Sequence, residues 1–234
     1  MPTITEIFEG FPGRARRGYL GWSSCYLIRT DDGASYLFDC AGPGDRGELR
    51  TRLQDNGVAP DELTAVVISH FHYDHAANWD LFSSAKFYIH ERELDYIESG
   101  EAGGDLGLLR NQLQALKDSV NVNVVRGDQQ PLGDLTLLHL PGHTPGSMGL
   151  QLGRSILCSD ALKHRWDIER SEVSLPVWNP QTARKSIARL AESADTLYPG
   201  HDSPLKKQRD TWQATRTPTE MLSFANGASQ AISL

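Results

Sequence analysis

Ser69-His70-Phe71-His72-Tyr73-Asp74-His75 is the stretch whose reading decides the fold. It follows Thr64-Ala65-Val66-Val67-Ile68, a β-branched apolar run that predicts a strand buried on both faces. Three histidines and an aspartate thus fall between positions 70 and 75, where strand gives way to loop. Imidazole and carboxylate suit zinc, manganese or iron, and the alternating spacing lets several of them converge on one point. The bland alternative is a polar loop that happens to be rich in histidine. His-x-His-x-Asp-His behind an apolar strand favours a metal site.

The whole chain sets the bounds. Its 234 residues suffice for one large domain or two small ones, and a hydrophobic fraction of 39% can build a core. A net charge of −7 argues against general nucleic-acid binding, which needs a basic face, but leaves room for a local basic pocket. Cys25, Cys40 and Cys158 are odd in number and widely spaced, which predicts no disulfide framework and a reducing compartment. No charged-then-apolar signal segment opens the chain, and no apolar run approaches membrane length. The expectation is a cytoplasmic protein with no membrane partner; a homo-oligomer is compatible with this composition.

Upstream of the motif, Ile4–Phe8 alternates as a short strand. Residues 10–22 carry four glycines and a proline, which predict no regular element there. Phe11, Tyr19 and Trp22 give that segment something to bury, either as a packed surface loop or as an aromatic, cationic flap over a pocket. Ser24–Arg29 and Ser35–Cys40 predict two strands joined by the Asp31-Asp32-Gly33 turn. Asp39 then caps the following loop or orients metal ligands from behind. A helix is expected from Asp45 to Asn56, with Leu49 and Leu53 inward and Asn56-Gly57 as its stop.

Downstream, Ala76–Phe82 predicts a short helix and Lys86–His90 a strand. Glu101–Gly104 predicts a flexible link, and the spacing of Leu106, Leu109, Leu113 and Leu116 a helix. Four strands are expected at Val122–Val125, Leu135–Leu140, Ser147–Leu152 and Ser155–Ser159. A helix over Pro180–Ala194 and a strand over Asp195–Tyr198 close the pattern. The reading gives one domain over residues 1–216 and a polar tail over 217–234.

Three further candidate ligands lie at ends of predicted strands. His143 sits in the turn Pro141-Gly142-His143-Thr144-Pro145-Gly146, Asp160 follows Cys158-Ser159, and His201 follows Pro199-Gly200. Each alone is weak; together they add two imidazoles and a carboxylate at strand-to-loop transitions, where a rigid scaffold holds a site. His90 and His139 fall inside predicted strands and read as structural, and Cys158 reads as core.

His70-x-His72-x-Asp74-His75 with His143, Asp160 and His201 resembles the full ligand set of the metallo-β-lactamase superfamily, in the right order along nearly the whole chain. The resemblance implies an α/β fold, a four-layer αββα sandwich with two divalent metals in a cleft at one edge of the sheets. Zinc is the first expectation, with manganese or iron as alternatives. Carried over, His70, His72 and His143 hold one metal, Asp74, His75 and His201 the other, and Asp160 bridges them. Asp39 matches the family's supporting aspartate. Such a pair lowers the pKa of bound water to about 7 and polarises the oxygen being attacked, so hydroxide attack on an ester-like bond is the implied chemistry. Asp74 can also relay a proton to the leaving group.

True β-lactamases of the fold lack the aspartate bridge, and redox members replace the second histidine, intact here as His72, with glutamate. The chain most resembles acyl-homoserine-lactone lactonases, through the bridge, His75–Asn78, Leu81-Phe82, Glu91–Glu93 and Val173–Leu190. It departs from them at Lys163, where they carry a tyrosine that assists the carbonyl oxygen. An ammonium there can stabilise an oxyanion or grip a substrate anion; the alternative is a solvent-facing lysine. The expected substrate is therefore a small lactone or related carboxylic ester. Lys163, His164 and Arg165 keep a phosphodiester or nucleic acid open, and a non-catalytic metal-binding protein is the third reading.

Overall fold

A computed structural model describes residues 2–119, 121–174 and 178–234. The first sheet opens with β1 (Thr3–Phe8). Residues 10–22 follow, and a regular element does form there: β2 (Arg14–Ala15) and β3 (Gly18–Tyr19) make a small hairpin, closed at its base by a Phe11–Trp22 bridge. Arg16 and Arg17 make the turn, Gly18 pairs with Ala15 within the hairpin, and Gly13 and Gly21 flank it. Next come β4 (Cys25–Arg29), β5 (Ser35–Phe38), α1 (Arg46–Asp55) and β6 (Ala65–Val67). Beyond the motif helix α2 (Tyr73–Ala76), β7 (Lys86–His90), α3 (Glu91–Glu98), α4 (Leu113–Lys117) and β8 (Val122–Val125) complete this half. The sheet order is β1-β4-β5-β6-β7-β8, parallel from β5 to β8.

The second half runs through β9 (Gln129–Leu132), β10 (Leu135–His139), β11 (Met148–Leu152) and β12 (Ser155–Ser159). After α5 (Arg165–Arg170) and α6 (Pro180–Ser193) come β13 (Thr196–Pro199), β14 (Leu205–Gln208) and β15 (Thr211–Ala214). Their sheet order is β15-β14-β13-β12-β11-β10-β9, and β12 pairs with β13 in parallel. The tail forms a separate hairpin, β16 (Thr219–Ser223) with β17 (Ser229–Ser233).

Strand period two sorts the side chains into layers. In β4, Tyr26 and Ile28 face the space between the sheets, while Cys25 and Leu27 face the helices. In β12, Leu157 points between the sheets and Ile156 and Cys158 point to α6, whose Ala183, Ile187 and Leu190 pack on them. The inter-sheet core joins Phe38 and Val67 of one sheet to Leu137, Met148 and Leu150 of the other. Helices cover both outer faces, so the architecture is the expected four-layer αββα sandwich. The three cysteines are buried and free. No helix of the described residues is long and apolar enough to cross a membrane.

Some local expectations change. The helix predicted from Leu106 is confined to α4, because Leu106 is 96% exposed on a rim loop. Ala76–Phe82 is not one helix: α2 ends at Ala76 and a 3₁₀ turn occupies Trp79–Phe82. Glu101–Gly104 forms a 3₁₀ turn. Helix α3, with Leu94, Tyr96 and Ile97 buried, and α5, β9, β14 and β15 are additions. Residues 175–177 of the Val173–Leu190 stretch lie outside the described residues.

His90 and His139, at the ends of β7 and β10, stack across the two sheets with centroids 3.9 Å apart and planes 8° from parallel. His90 Nε2 reaches Gly127 O, and His139 Nε2 reaches Pro145 O at 2.8 Å, so both are satisfied structural histidines. Burial, then the neighbouring His139, pushes the His90 pKa down to about 4. The folded chain holds His90 neutral where the unfolded chain protonates it. Its contribution to stability is full above pH 6.5 and is lost as pH falls towards about 4. Thermal melts should show a shallower acid loss for His90→Gln than for wild type in that window; parallel curves would dismiss the stack as a pH-sensitive joint.

Candidate metal centre

The parallel pairs β5–β6 and β12–β13 bring strand C-termini together at one edge of the sandwich. Asp39 leaves β5, Ser69 to His75 leave β6, Asp160 leaves β12, and Gly200-His201 leave β13. The loop after β10 delivers His143. All seven side chains singled out by the sequence meet there. His70, His72 and His143 form one buried group and Asp74, His75 and His201 another, while Asp160 clusters with His70 and His75.

Within the first group His72 Nδ1 lies 3.0 Å from both His70 Nε2 and His143 Nε2. In the second, His201 Nε2 is 3.5 Å and His75 Nε2 3.9 Å from Asp74 Oδ2. Asp160 stands between them. Its Oδ2 is 3.3 Å from His143 Nε2, and its Oδ1 is 3.3 Å from both His75 Nε2 and His201 Nε2. Burial opposes the charge on Asp160, but His201, Lys163, His75 and His143 outweigh it and hold the carboxyl well below the usual range. Burial, reinforced by His75, His72 and His143, keeps His70 neutral. Imidazole nitrogens grouped around buried carboxylates are the donor set that a divalent cation selects.

The outward ring nitrogens are fixed as well, which sets tautomer and orientation. His75 Nδ1 donates to Asp39 Oδ2 at 2.9 Å, and His201 Nδ1 donates to Trp22 O at 3.0 Å. His70 Nδ1 lies 2.9 Å from Ser69 Oγ, which itself donates to Asp39. His72 Nε2 donates at 2.9 Å to Asp105, a residue the sequence reading missed. Burial raises the Asp105 pKa, but the hydrogen bond and charge of His72 win and bring it down to about 2. Tyr96 donates to the same carboxylate oxygen. Backbone closes the clamp: Tyr73 N–H donates to Gly107 O, and a Cβ on Gly107 would stand 3.0 Å from the His72 ring. Asp105 sits in a rim loop of glycines and leucines with no motif around it, so no sequence signal marked it.

Five of the seven, His72, Asp74, His143, Asp160 and His201, floor a cavity of about 730 Å³, and His70 and His75 lie buried behind them. Residues 10–22 form part of its wall through Phe11, Arg14 and Tyr19, as the flap reading expects; Tyr96, Leu106 and Trp178 line other parts. Gly21, at φ +67, permits the close approach of the flap to Tyr73, whose hydroxyl would stand 2.6 Å from a Cβ there. Lys163 is not solvent-facing: it is largely buried, lines the cavity and places Nζ 3.3 Å from Asp160 Oδ2. His164 also lines the cavity, packed on Trp166. Arg165 instead makes a fork to buried Asp202 through Nε at 2.8 Å and Nη2 at 2.5 Å. That removes one of the cations that kept a phosphodiester open.

Comparison with known proteins agrees with this geometry. Residues 19–218 match the Metallo-beta-lactamase superfamily. The N-acyl homoserine lactonase AiiA of Bacillus thuringiensis subsp. kurstaki is 28% identical over 215 residues, covering 78% of this chain and 82% of that protein. Among solved structures, a Thermotoga maritima protein described as a metallo-beta-lactamase superposes with a TM-score of 0.70 at 21% identity. It covers 88% of this chain and 99% of its own. AidC, described as a dizinc quorum-quenching lactonase, superposes with a TM-score of 0.67 at 15% identity, over 91% and 92% of the two chains. At those identities the two superpositions establish the fold. The lactonase relative and the metal-binding His/Asp cluster support a metal-dependent hydrolase. The chain belongs to the metallo-beta-lactamase superfamily.

Proposed function

We propose that the chain hydrolyses a lactone or related carboxylic ester with two divalent metals, zinc before manganese or iron. One observation carries the reading: two groups of nitrogen and oxygen donors face opposite oxygens of the single buried carboxylate of Asp160 at a cavity floor. The donors fit metals for a further reason. Asp160 Oδ1 and His75 Nε2 are buried 3.3 Å apart, and neither makes a well-formed hydrogen bond among the described residues, an arrangement that a cation between them would satisfy. His70, His72 and His143 would hold one ion, Asp74, His75 and His201 the other, with Asp160 between them. When bound, such ions activate water as nucleophile and polarise the carbonyl oxygen.

The remaining steps fall to side chains. Asp74, which lines the cavity floor, would carry a proton to the departing alkoxide. Metal binding would take over the Asp160 charge, leaving the Lys163 ammonium to face the carbonyl oxygen as it gains charge. The aromatic wall and flap accommodate the rest of a small substrate and restrict water. The lactone assignment draws on the lactonase relatives. It is tested by assaying lactone, thioester, β-lactam and phosphodiester substrates on metal-reconstituted protein, with Asp160→Ala as control. Turnover of phosphodiesters alone would reject the ester reading, and no turnover with full metal would favour a binding protein.

Elemental analysis of protein purified without chelator should approach two metals per chain. Saturation at one, unchanged by added zinc or manganese, would sink the dinuclear site.

Lys163→Ala should keep its metal, because ammonium is a poor ligand. It should lose kcat and kcat/KM together, by roughly 10²–10³-fold. A rise in KM alone would make the lysine a substrate anchor, and wild-type kinetics would end its role. Lys163→Tyr, which restores the residue of the lactonases, should raise homoserine-lactone hydrolysis above the alanine variant.

Gly200 supplies a steric test. A Cβ there would lie 2.0 Å from Asp160 Oδ1 and 3.0 Å from the Ser159 carbonyl carbon, whereas one on Gly103 meets open space. Gly200→Ala should therefore displace Asp160, strip metal and lower activity by about 10²-fold or more, while Gly103→Ala stays near wild type. Equal metal content in the two variants would contradict the packing described.

A further inference from the structure

Glu93, on the first turn of α3, is fully buried, although burial penalises a carboxylate and raises its pKa. The side chain is satisfied by two neutral donors. Phe71 N–H donates to Oε1 at 2.8 Å and the Thr144 hydroxyl to Oε2 at 2.6 Å. The identity of these donors matters. Phe71 stands between His70 and His72, and Thr144 follows His143. One carboxylate therefore joins the two loops that carry the first donor group.

The same contact is enforced by packing. A Cβ on Gly146 would meet the Glu93 backbone nitrogen at 2.2 Å and its Cα at 2.5 Å, so the His143 loop lies directly on α3. His90 caps that helix by accepting Arg92 N–H, and stacks on His139, which holds Pro145 O. The helix N-terminus thus meets the His143 loop through both Glu93 and the histidine stack. Asp39 and Asp105 orient individual imidazole rings; Glu93 fixes the backbone on which three of them stand.

We propose that Glu93 is a positioning residue for the His70, His72 and His143 group, setting the separation of the two loops and hence the metal affinity of that group. The inference rests on the metal-centre reading above. It is tested by two-step zinc titration against a competing chelator, with the steps assigned from His143→Ala and His201→Ala.

Glu93→Gln keeps the side-chain volume but presents an amide N–H to a cluster of donors. It should weaken the step lost in His143→Ala by roughly 10–100-fold and the step lost in His201→Ala by less than about threefold. Thr144→Val, which removes one donor, should weaken the same step to a smaller extent. Glu93→Asp, too short to span both loops, serves as the second variant. Unchanged affinities, or equal weakening of both steps, would overturn the inference and leave the zinc reading intact. Failure of both Glu93 variants to fold would assign the residue to the fold and also overturn it. A wild-type protein that takes up no zinc would reject the metal reading itself, and the inference with it.

Discussion

The carboxylate of Asp39 is the joint on which the site depends. Its Oδ1 accepts Ser69 N–H at 2.7 Å, and its Oδ2 gathers Ser69 Oγ, Ser159 Oγ and His75 Nδ1 within 2.9 Å. Ser69 belongs to the first sheet's edge and Ser159 to the second's, so one buried anion clasps the two halves where their strand ends meet. Asp39 and Ser159 both adopt positive φ, at 59° and 46°, a conformation that costs non-glycine residues roughly 1–3 kcal/mol each. Such backbone persists where surrounding bonds over-determine it. Asn78 contributes to this by donating to Cys40 O and Gly42 O immediately downstream.

Polar groups near this joint are arranged in tiers. Donor atoms face inward, each partnered imidazole has a fixed outward nitrogen, and the groups holding those nitrogens are themselves bonded. Asp105 illustrates the pattern, taking His72, Tyr96 and Gly107 N–H on one carboxylate. A low-dielectric surrounding strengthens every satisfied bond of this kind and penalises any missing one. This dense bonding belongs to the floor. The walls, by contrast, are loop and flap residues such as Tyr19 and Leu106, both strongly exposed. The floor therefore fixes the donor geometry, while the walls present exposed apolar side chains to whatever enters the cavity.

Much of this was legible where the signal was local. His70 and His72 are spaced by the alternation of an extended chain, Asp74 and His75 follow at once on α2, and the strand before them is uniformly apolar, so motif and element support each other. His143, Asp160 and His201 were legible as strand ends, and the resemblance grouped them. Glu93 and Asp105 were not assigned, because their partners are backbone and ring nitrogens 22 and 33 residues away. The leucine pattern at 106–116 misled because Leu106 satisfies the period yet serves the rim. Strands β9 and β14 were missed because Gln129, Gln130, Lys206 and Lys207 lack β-branched character; sheet neighbours, and not propensity, hold them extended.

The division of the site between the two sheets has a consequence in time. His70, His72, Asp74 and His75 leave the ribosome early and together, but His201 follows only after the whole of the second sheet's central pair has been made. The first half alone therefore holds an incomplete donor set, without Asp160 and without the Ser159 bond to Asp39. The donor set is complete only once the two halves dock, so the site is a product of the whole fold and a chain cut short before residue 201 cannot assemble it.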